Sequence, residues 1–379
     1  MSVRRIPVVL MRGGPLRAAC FVAHDLPSTP RARDALLLRA LGAPDPSGLA
    51  LDGPGAGPDG VSRVLVLSRS QRPGCDVDVL AGSIAPGGAA IDWSAACGPL
   101  AAAVGPFAIA ARLYPAGSGS ARVRMQQVPD GSRIDAFVPV ADGQALDEGA
   151  FVEDGVAFPS PEIRLERIEP AEAPFAGGAV REVLELPDGG TVDATLLTVD
   201  VPTVFVRADA LGLTGREPPG ELDRARRARE RIAAVRDQAA VRFGVATDGG
   251  RGRARPPVVC WVARPAPYRG VGGEVAADAI DLLARCDVDG RVDARAGGRV
   301  VEELAVAAAV PGTVVAEIAR TLPGVATRIG HAGGPVAAAA DVSDRPGGRG
   351  RGGWRVDRLV RSHGARRLLA GELFVPGGG

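Results

Sequence analysis

The stretch "AACGPLAAAVGPFAI", residues 95–109, decides how the rest of the chain is read. Cys97 precedes Gly98-Pro99 and an alanine-rich apolar run. Proline is welcome in a first helical turn, so Gly98 and Pro99 mark a helix start. Two readings of Cys97 follow. Free cysteine commonly packs as a small hydrophobe. A thiol at a helix N-terminus, by contrast, faces unpaired N–H groups and the positive end of the dipole, which favour thiolate and bind anions.

Composition narrows the chemistry. The chain has 379 residues, a length that suits two domains better than one core. Hydrophobic residues make up 46% and charged ones 23%, as in soluble globular proteins. A formal net charge of +1 leaves no field to attract nucleic acid or an anionic membrane. All 45 basic residues are arginine, and neither lysine nor asparagine occurs. A lysine Schiff base, a P-loop lysine and a lysine general base are therefore ruled out.

The five cysteines are widely spaced and odd in number, which fits a reducing cytosol and no disulfide framework. Three histidines with no i, i+4 pair argue against a metal site. The apolar run in "MSVRRIPVVLMRGG" is too short for a signal-peptide core. No stretch reaches the ~18 apolar residues of a membrane span, and residues 100–113 are broken by Gly105 and Pro106. A cytoplasmic protein without metal, flavin, nicotinamide or pyridoxal is expected, since no dinucleotide glycine motif joins a strand to a helix.

Working outward from Cys97, the first half reads as a hairpin (6–12 and 18–24) about Gly13-Gly14-Pro15 and a helix (29–42) after Thr29. Strands at 62–68 and 75–84, the Cys97 helix, and strands at 121–128 and 132–140 follow. The second half reads as two strands about Val201-Pro202, a helix over 221–242, a strand at 256–265 and a helix ending at Pro311. The turn His331-Ala332-Gly333-Gly334, before a run read as a second alanine helix, is taken as the counterpart of Cys97-Gly98-Pro99. This order predicts two similar domains, 1–180 with a returning segment 368–379, and 181–367. The arginine-glycine runs 249–257 and 344–354 lack aromatic interleaving and read as exposed loops.

"VVLMRGGPLRAACFVAHDLP", "SRVLVLS", "ACGPLAAAVGPFAI", "VPTVFVRADALGL", "RIGHAGG" and "ARRLLAGELFVP" occur in this order. Together they resemble the PrpF-type methylaconitate cis–trans isomerase family over residues 6 to 376. The resemblance implies an α+β diaminopimelate-epimerase-like fold, with two similar domains of mixed sheet or barrel wrapped around a central helix. It also implies an active site in the cleft between them, proton shifts in unsaturated carboxylates without a cofactor, and, by analogy, a homodimer.

Several family positions are changed. The family's M-R-G-G-T-S-K-G is Met11-Arg12-Gly13-Gly14-Pro15-Leu16-Arg17-Ala18 here, and its catalytic lysine in S-K-V is Arg63. C-G-N has become Cys97-Gly98-Pro99, A-N-P is Asp200-Val201-Pro202, and G-H-P-S-G is Gly330-His331-Ala332-Gly333-Gly334. A histidine the family places near Asp293 is absent. Guanidinium does not deprotonate, so Arg63 can hold a carboxylate or an enolate but cannot be a base.

The expected activity is a shift of a C=C bond by 1,3-proton transfer in a small unsaturated carboxylic acid of a specialised pathway. Cys97 would carry the proton. Arg63 and Arg17 would hold the carboxylate, and the turns at Gly14, Gly98-Pro99, His331, Gly333 and Gly334 would complete an anion cradle. Epimerase, tautomerase or lyase chemistry on the same fold, or a non-catalytic scaffold, stay open as alternatives.

Overall fold

The computed structural model describes residues 3–45, 52–53, 62–85, 87–94, 96–218, 220–245, 256–288, 291–292, 300–321, 324–344 and 353–376. The apolar run after Cys97 is a helix, entered through a single 3₁₀ turn, Gly98–Leu100. Around it, in chain order, are β1 (Val3–Gly13), β2 (Leu16–Val22), α1 (Pro30–Ala40), β3 (Ser62–Arg69), β4 (Val77–Ile84), α2 (Ala101–Ala110), β5 (Gly119–Gln127), β6 (Arg133–Ala141), the short β7 (Gln144–Ala145) and β8 (Glu162–Glu172). There follow β9 (Glu182–Glu185), β10 (Thr191–Leu197), β11 (Thr203–Arg207), α3 (Arg226–Arg242), β12 (Val258–Ala263), β13 (Tyr268–Gly270), β14 (Gly273–Val275), β15 (Leu282–Val288), β16 (Arg291–Val292), α4 (Val301–Ala309), β17 (Thr327–Gly330), β18 (Pro335–Asp344) and β19 (Trp354–Pro376).

The chain divides into two compact units, Met1–Ile168 with Ser362–Gly379, and Glu169–Arg361. The sequence places these changes later, after residues 180 and 367. Both crossings fall inside strands, β8 and β19, so no turn or linker composition marks them.

Each unit repeats one pairing plan. In the first, β1–β2 is antiparallel, β2–β3 parallel, β3–β4 antiparallel, β4–β5 parallel and β5–β6 antiparallel. In the second, β10–β11, β11–β12, β12–β15, β15–β17 and β17–β18 alternate in the same way. Parallel neighbours need a crossover, and a helix lies in each of these four. Thus α1 and α3 match each other, and α2 matches α4. The alanine run 335–344 is therefore a strand rather than a helix. It follows the Gly333-Gly334 turn and pairs with β17 and β19, and this pairing overrides the helix preference of alanine. The counterpart of the Cys97 loop is the segment before Val301, of which 293–299, with Asp293, lies outside the described residues. Most of the two arginine-glycine runs lies outside them as well.

The matched helices differ in how they are buried. Residues Ala101–Ile109 of α2 are all buried, so this helix is the core of its unit and not a one-sided surface helix. Gly105 and Pro106 do not break it. A Cβ on Gly105 would stand 2.5 Å from Val138 Cγ2, so glycine is what lets the helix approach β6. α4 is likewise buried along most of its length. α1 and α3 instead bury one stripe each, such as Ile232, Val235 and Ala239. No described helix is long and apolar enough to cross a membrane.

Candidate functional site

The first unit brings several candidate residues together at the open end of α2. Gly13 pairs with Leu16, leaving Gly14-Pro15 as a two-residue hairpin loop with φ +55° at Gly14. Glycine in the first position meets the positive φ this turn requires. The turn lies directly on the helix entrance. A Cβ on Gly13 would be 3.0 Å from Leu100 Cα and 3.1 Å from Ala103 N; one on Gly14 would be 2.7 Å from Pro99 Cβ. Gly98 also has φ +55°, but the space beside its Cα is empty to 4 Å. Gly14, Gly98 and Pro99 therefore share one location.

Cys97 lies beside them, 2% exposed, within the α2 core. Its backbone N–H donates to Gln127 Oε1 at 2.5 Å. Burial, joined by the charge of Asp130, pushes the thiol up to about 12. Burial thus works against the thiolate that the helix start is expected to favour, because desolvation of the anion opposes the dipole.

Strand alternation sorts the two arginines. Arg63 shares its face of β3 with Leu65 and Leu67, which pack in the same core as Cys97. On β2, Ala18 and Cys20 face that core, whereas Ala19 and Phe21 face the α1 side. Arg17 alternates with the second pair and is exposed. It does not join Cys97, a correction to the expected carboxylate clamp.

A buried polar network behind the Gly14 turn escaped the sequence reading. Arg12 Nη1 donates to the carbonyls of Gly14 (2.9 Å) and Gly364 (3.3 Å), and its Nη2 to Ser160 Oγ (2.7 Å). Gly14 N–H donates to Gly364 O at 2.8 Å. Glu153 accepts from Gly364 N at 2.7 Å, and its other oxygen lies 3.0 Å from His363 Nδ1. The missing Cβ of Gly14 would stand 3.1 Å from the same nitrogen. Arg12 was visible inside Met11-Arg12-Gly13-Gly14. Glu153 and His363, 210 positions apart, carry no local pattern, and only the scarcity of histidine points to the second.

In the second unit, His331, Gly333 and Gly334 form the β17–β18 hairpin turn, all buried. Gly333 N–H donates to His331 Nδ1 at 3.0 Å, and Gly334 N–H to His331 O at 3.1 Å. The turn closes on itself, so these two N–H groups are not presented as an anion cradle. At the β10–β11 turn, Glu303 of α4 accepts from the N–H groups of Asp200 and Val201, both at 2.9 Å. Burial, with Glu302 adding repulsion, raises this carboxyl to about 8. A cavity of about 560 Å³ in this unit is lined by Thr214, Arg216, Glu217, Tyr268 and Arg269, none of them candidate residues. Among the described residues no group of acidic, histidine and cysteine side chains is placed to hold a metal.

Comparison with known proteins agrees with this architecture. The model of the PrpF protein family matches residues 3–376. A 2-methyl-aconitate isomerase of Cupriavidus necator is 37% identical, covering 98% of each chain. The crystal structure of a methylitaconate-delta-isomerase superposes with a TM-score of 0.86 at 27% identity, covering 99% of this chain and 96% of that one. A hydroxyproline epimerase from Agrobacterium vitis shares the fold at TM-score 0.51 and 13% identity, covering 99% and 92%. The epimerase-like α+β class is thus the fold of this protein. The chain belongs to the PrpF family and is an isomerase.

Proposed function

We propose that the enzyme moves a C=C bond by 1,3-proton transfer in a small unsaturated carboxylic acid, without a cofactor, and that Cys97 carries one of the protons. The observation that bears most weight is the convergence at the start of α2. A buried thiol, an open glycine and the Gly14 turn meet there, on the core face that Arg63 shares. A guanidinium at Arg63 can pair with a carboxylate and stabilise the dienolate as charge develops. Pro15, Leu16 and Pro99 stand where the family pattern carries hydroxyl or amide side chains. The site offers fewer donors, which suits an acid with fewer carboxylates and more hydrocarbon than a tricarboxylate.

Proton NMR in D₂O tests this directly with 2-methylaconitate, methylitaconate and unsaturated monocarboxylates as probes. Migration of the double bond with deuterium entering the γ-carbon is expected. Cys97→Ser should lose ~100–10,000-fold in turnover with little change in KM, since a hydroxyl keeps the size but is a far weaker acid. Wild-type turnover in that variant would remove Cys97 from the chemistry.

A further inference from the structure

Resting on the isomerase reading above, we propose that Gln127 is a positioning residue of the reaction: its amide, braced by Ser132 and Asp130, fixes Cys97 at the mouth of α2. Gln127 departs from the pattern of its own strand. Ala121, Val123, Met125 and Gln127 alternate along one face of β5, and all four are buried. The first three pack in the core around α2. A fourth apolar side chain would extend that core, whereas a buried amide costs roughly 1–3 kcal/mol unless it is hydrogen-bonded. Here both ends of the amide are bonded. Oε1 accepts the Cys97 N–H at 2.5 Å, and Nε2 donates to Ser132 Oγ, also at 2.5 Å.

The bonds run one way. Ser132 Oγ donates in turn to Asp130 Oδ1 at 2.9 Å, and the same oxygen accepts the Ser132 N–H at 3.0 Å. Every donor in the series points toward a carboxylate, an arrangement in which successive bonds polarise and strengthen one another. The backbone closes the same turn. Gln127 N–H donates to Ser132 O and Gly131 N–H to Gln127 O, both at 2.9 Å. The hairpin between β5 and β6 is thereby tied to itself, and it holds the amide against Cys97.

The consequence falls on Cys97. Its N–H is taken by Gln127, and its carbonyl accepts the Leu100 N–H at 3.2 Å. With both backbone groups engaged, the thiol keeps only the staggered positions about χ1. The anchored residue is the one immediately before Gly98, where the backbone turns left-handed and the space alongside is open. A group that passes a proton must be held in register with the reacting carbon, and a displacement of about 1 Å can cost about 100-fold in rate. Holding that register is the part assigned to Gln127.

The test compares Gln127→Met with wild type. Methionine keeps the length of the side chain but offers the Cys97 N–H only a weak sulfur acceptor. Deuterium exchange at the Cys97 amide should be about 2–10-fold faster in the variant, the net worth of one neutral hydrogen bond. The amide of Cys20, a residue of the same core, should exchange as in wild type. With 2-methylaconitate and methylitaconate as substrates, kcat per folded molecule should fall ~10–100-fold with KM little changed. A part in stability alone would lower Tm and leave kcat per folded molecule at the wild-type value. That result, or unchanged exchange at the Cys97 amide, overturns the proposal while leaving the isomerase reading intact. If Gln127→Met does not fold, Ser132→Ala decides, because it removes only the brace. Its kcat should fall about 2–10-fold with KM unchanged, and a wild-type kcat overturns the proposal. A wild type inert toward both acids and unable to wash deuterium into either overturns the reading and the proposal together.

Discussion

The two units answer one structural problem differently: how a hairpin turn meets the start of the buried central helix. In the first, backbone meets backbone. Gly13 and Gly14 give up their side chains to the contact with Pro99, Leu100 and Ala103, and the space beside Gly98 stays open. In the second, a side chain fills the place. Glu303 reaches out of the first turn of α4 and accepts the N–H groups of Asp200 and Val201. Donors that could have faced a ligand are consumed by the protein. The repeated plan thus keeps one helix entrance open and stitches the described part of the other shut. The proposed proton chemistry belongs to the open one.

The largest effect should come from removing the stitch. Glu303→Ala removes the acceptor of the Asp200 and Val201 N–H groups in a partly buried turn and leaves a gap where the buried carboxyl stood, a combined cost of about 1–3 kcal/mol. Glu303→Gln keeps an accepting oxygen and isolates the role of charge. An unfolded glutamate titrates near 4.3, whereas folded Glu303 is raised to about 8. As pH rises through that window, the unfolded chain releases its proton first, so wild type loses stability by up to about 1.4 kcal/mol per unit and levels off above it. Urea unfolding at intervals across the window should show this decline in wild type and a flatter curve in Glu303→Gln. Parallel curves would mean that Glu303 is already ionised, and that the second entrance is held by charge.

A smaller effect separates the two glycines of the first entrance. Gly14→Ala and Gly98→Ala both place a side chain at φ +55°, a strain of roughly 1 kcal/mol. Only Gly14→Ala also drives a Cβ to 2.7 Å from Pro99. Its Tm should therefore fall by several degrees more, consistent with an added packing cost of about 1–3 kcal/mol. Gly98→Ala should instead leave stability within about 1 kcal/mol and show its loss in KM or kcat, because it occupies the open space. Equal Tm values would break the distinction between a packed and an open glycine.

How much of this was legible in sequence depended on range. The Gly13-Gly14-Pro15 turn and the Cys97 helix are local signals, each written in consecutive residues with a definite conformational need. The pairing plan was legible in outline because strands and helices recur in the same order. Its phase was misjudged at 331–344, where an alanine run looked helical and only its neighbours β17 and β19 make it a strand. Arg17 looked equivalent to Arg63 because alternation assigns a face only once the core side of each strand is known. Glu153, Ser160 and His363 were invisible for a different reason. They meet Arg12 and Gly14 through pairings more than a hundred positions apart, and none sits in a patterned stretch.

The smallest effect concerns thiol reactivity, and it bears on the first entrance most directly. Cys20, Cys97, Cys260 and Cys286 are buried, and Cys75 alone among the five is partly exposed. Burial raises Cys20 above the ordinary thiol range and Cys97 to about 12. Cys260 is raised by burial and by the facing Cys286. Alkylation follows thiolate fraction and access. Iodoacetamide near neutral pH should therefore label Cys75 first, with the other four reacting fully only after unfolding. The ranking among the slow four carries the information. If the space beside Gly98 admits a small acid, Cys97 should react measurably faster than Cys260 or Cys286, and 2-methylaconitate should slow it. Peptide mapping of labelled protein at successive times reads this out. Cys97 labelling faster than Cys75 would mean an activated thiolate despite its burial, and its part in the proton transfer would be that of a base. Cys97 as slow as Cys260, with no protection by the acid, would close the first entrance and leave the two units alike.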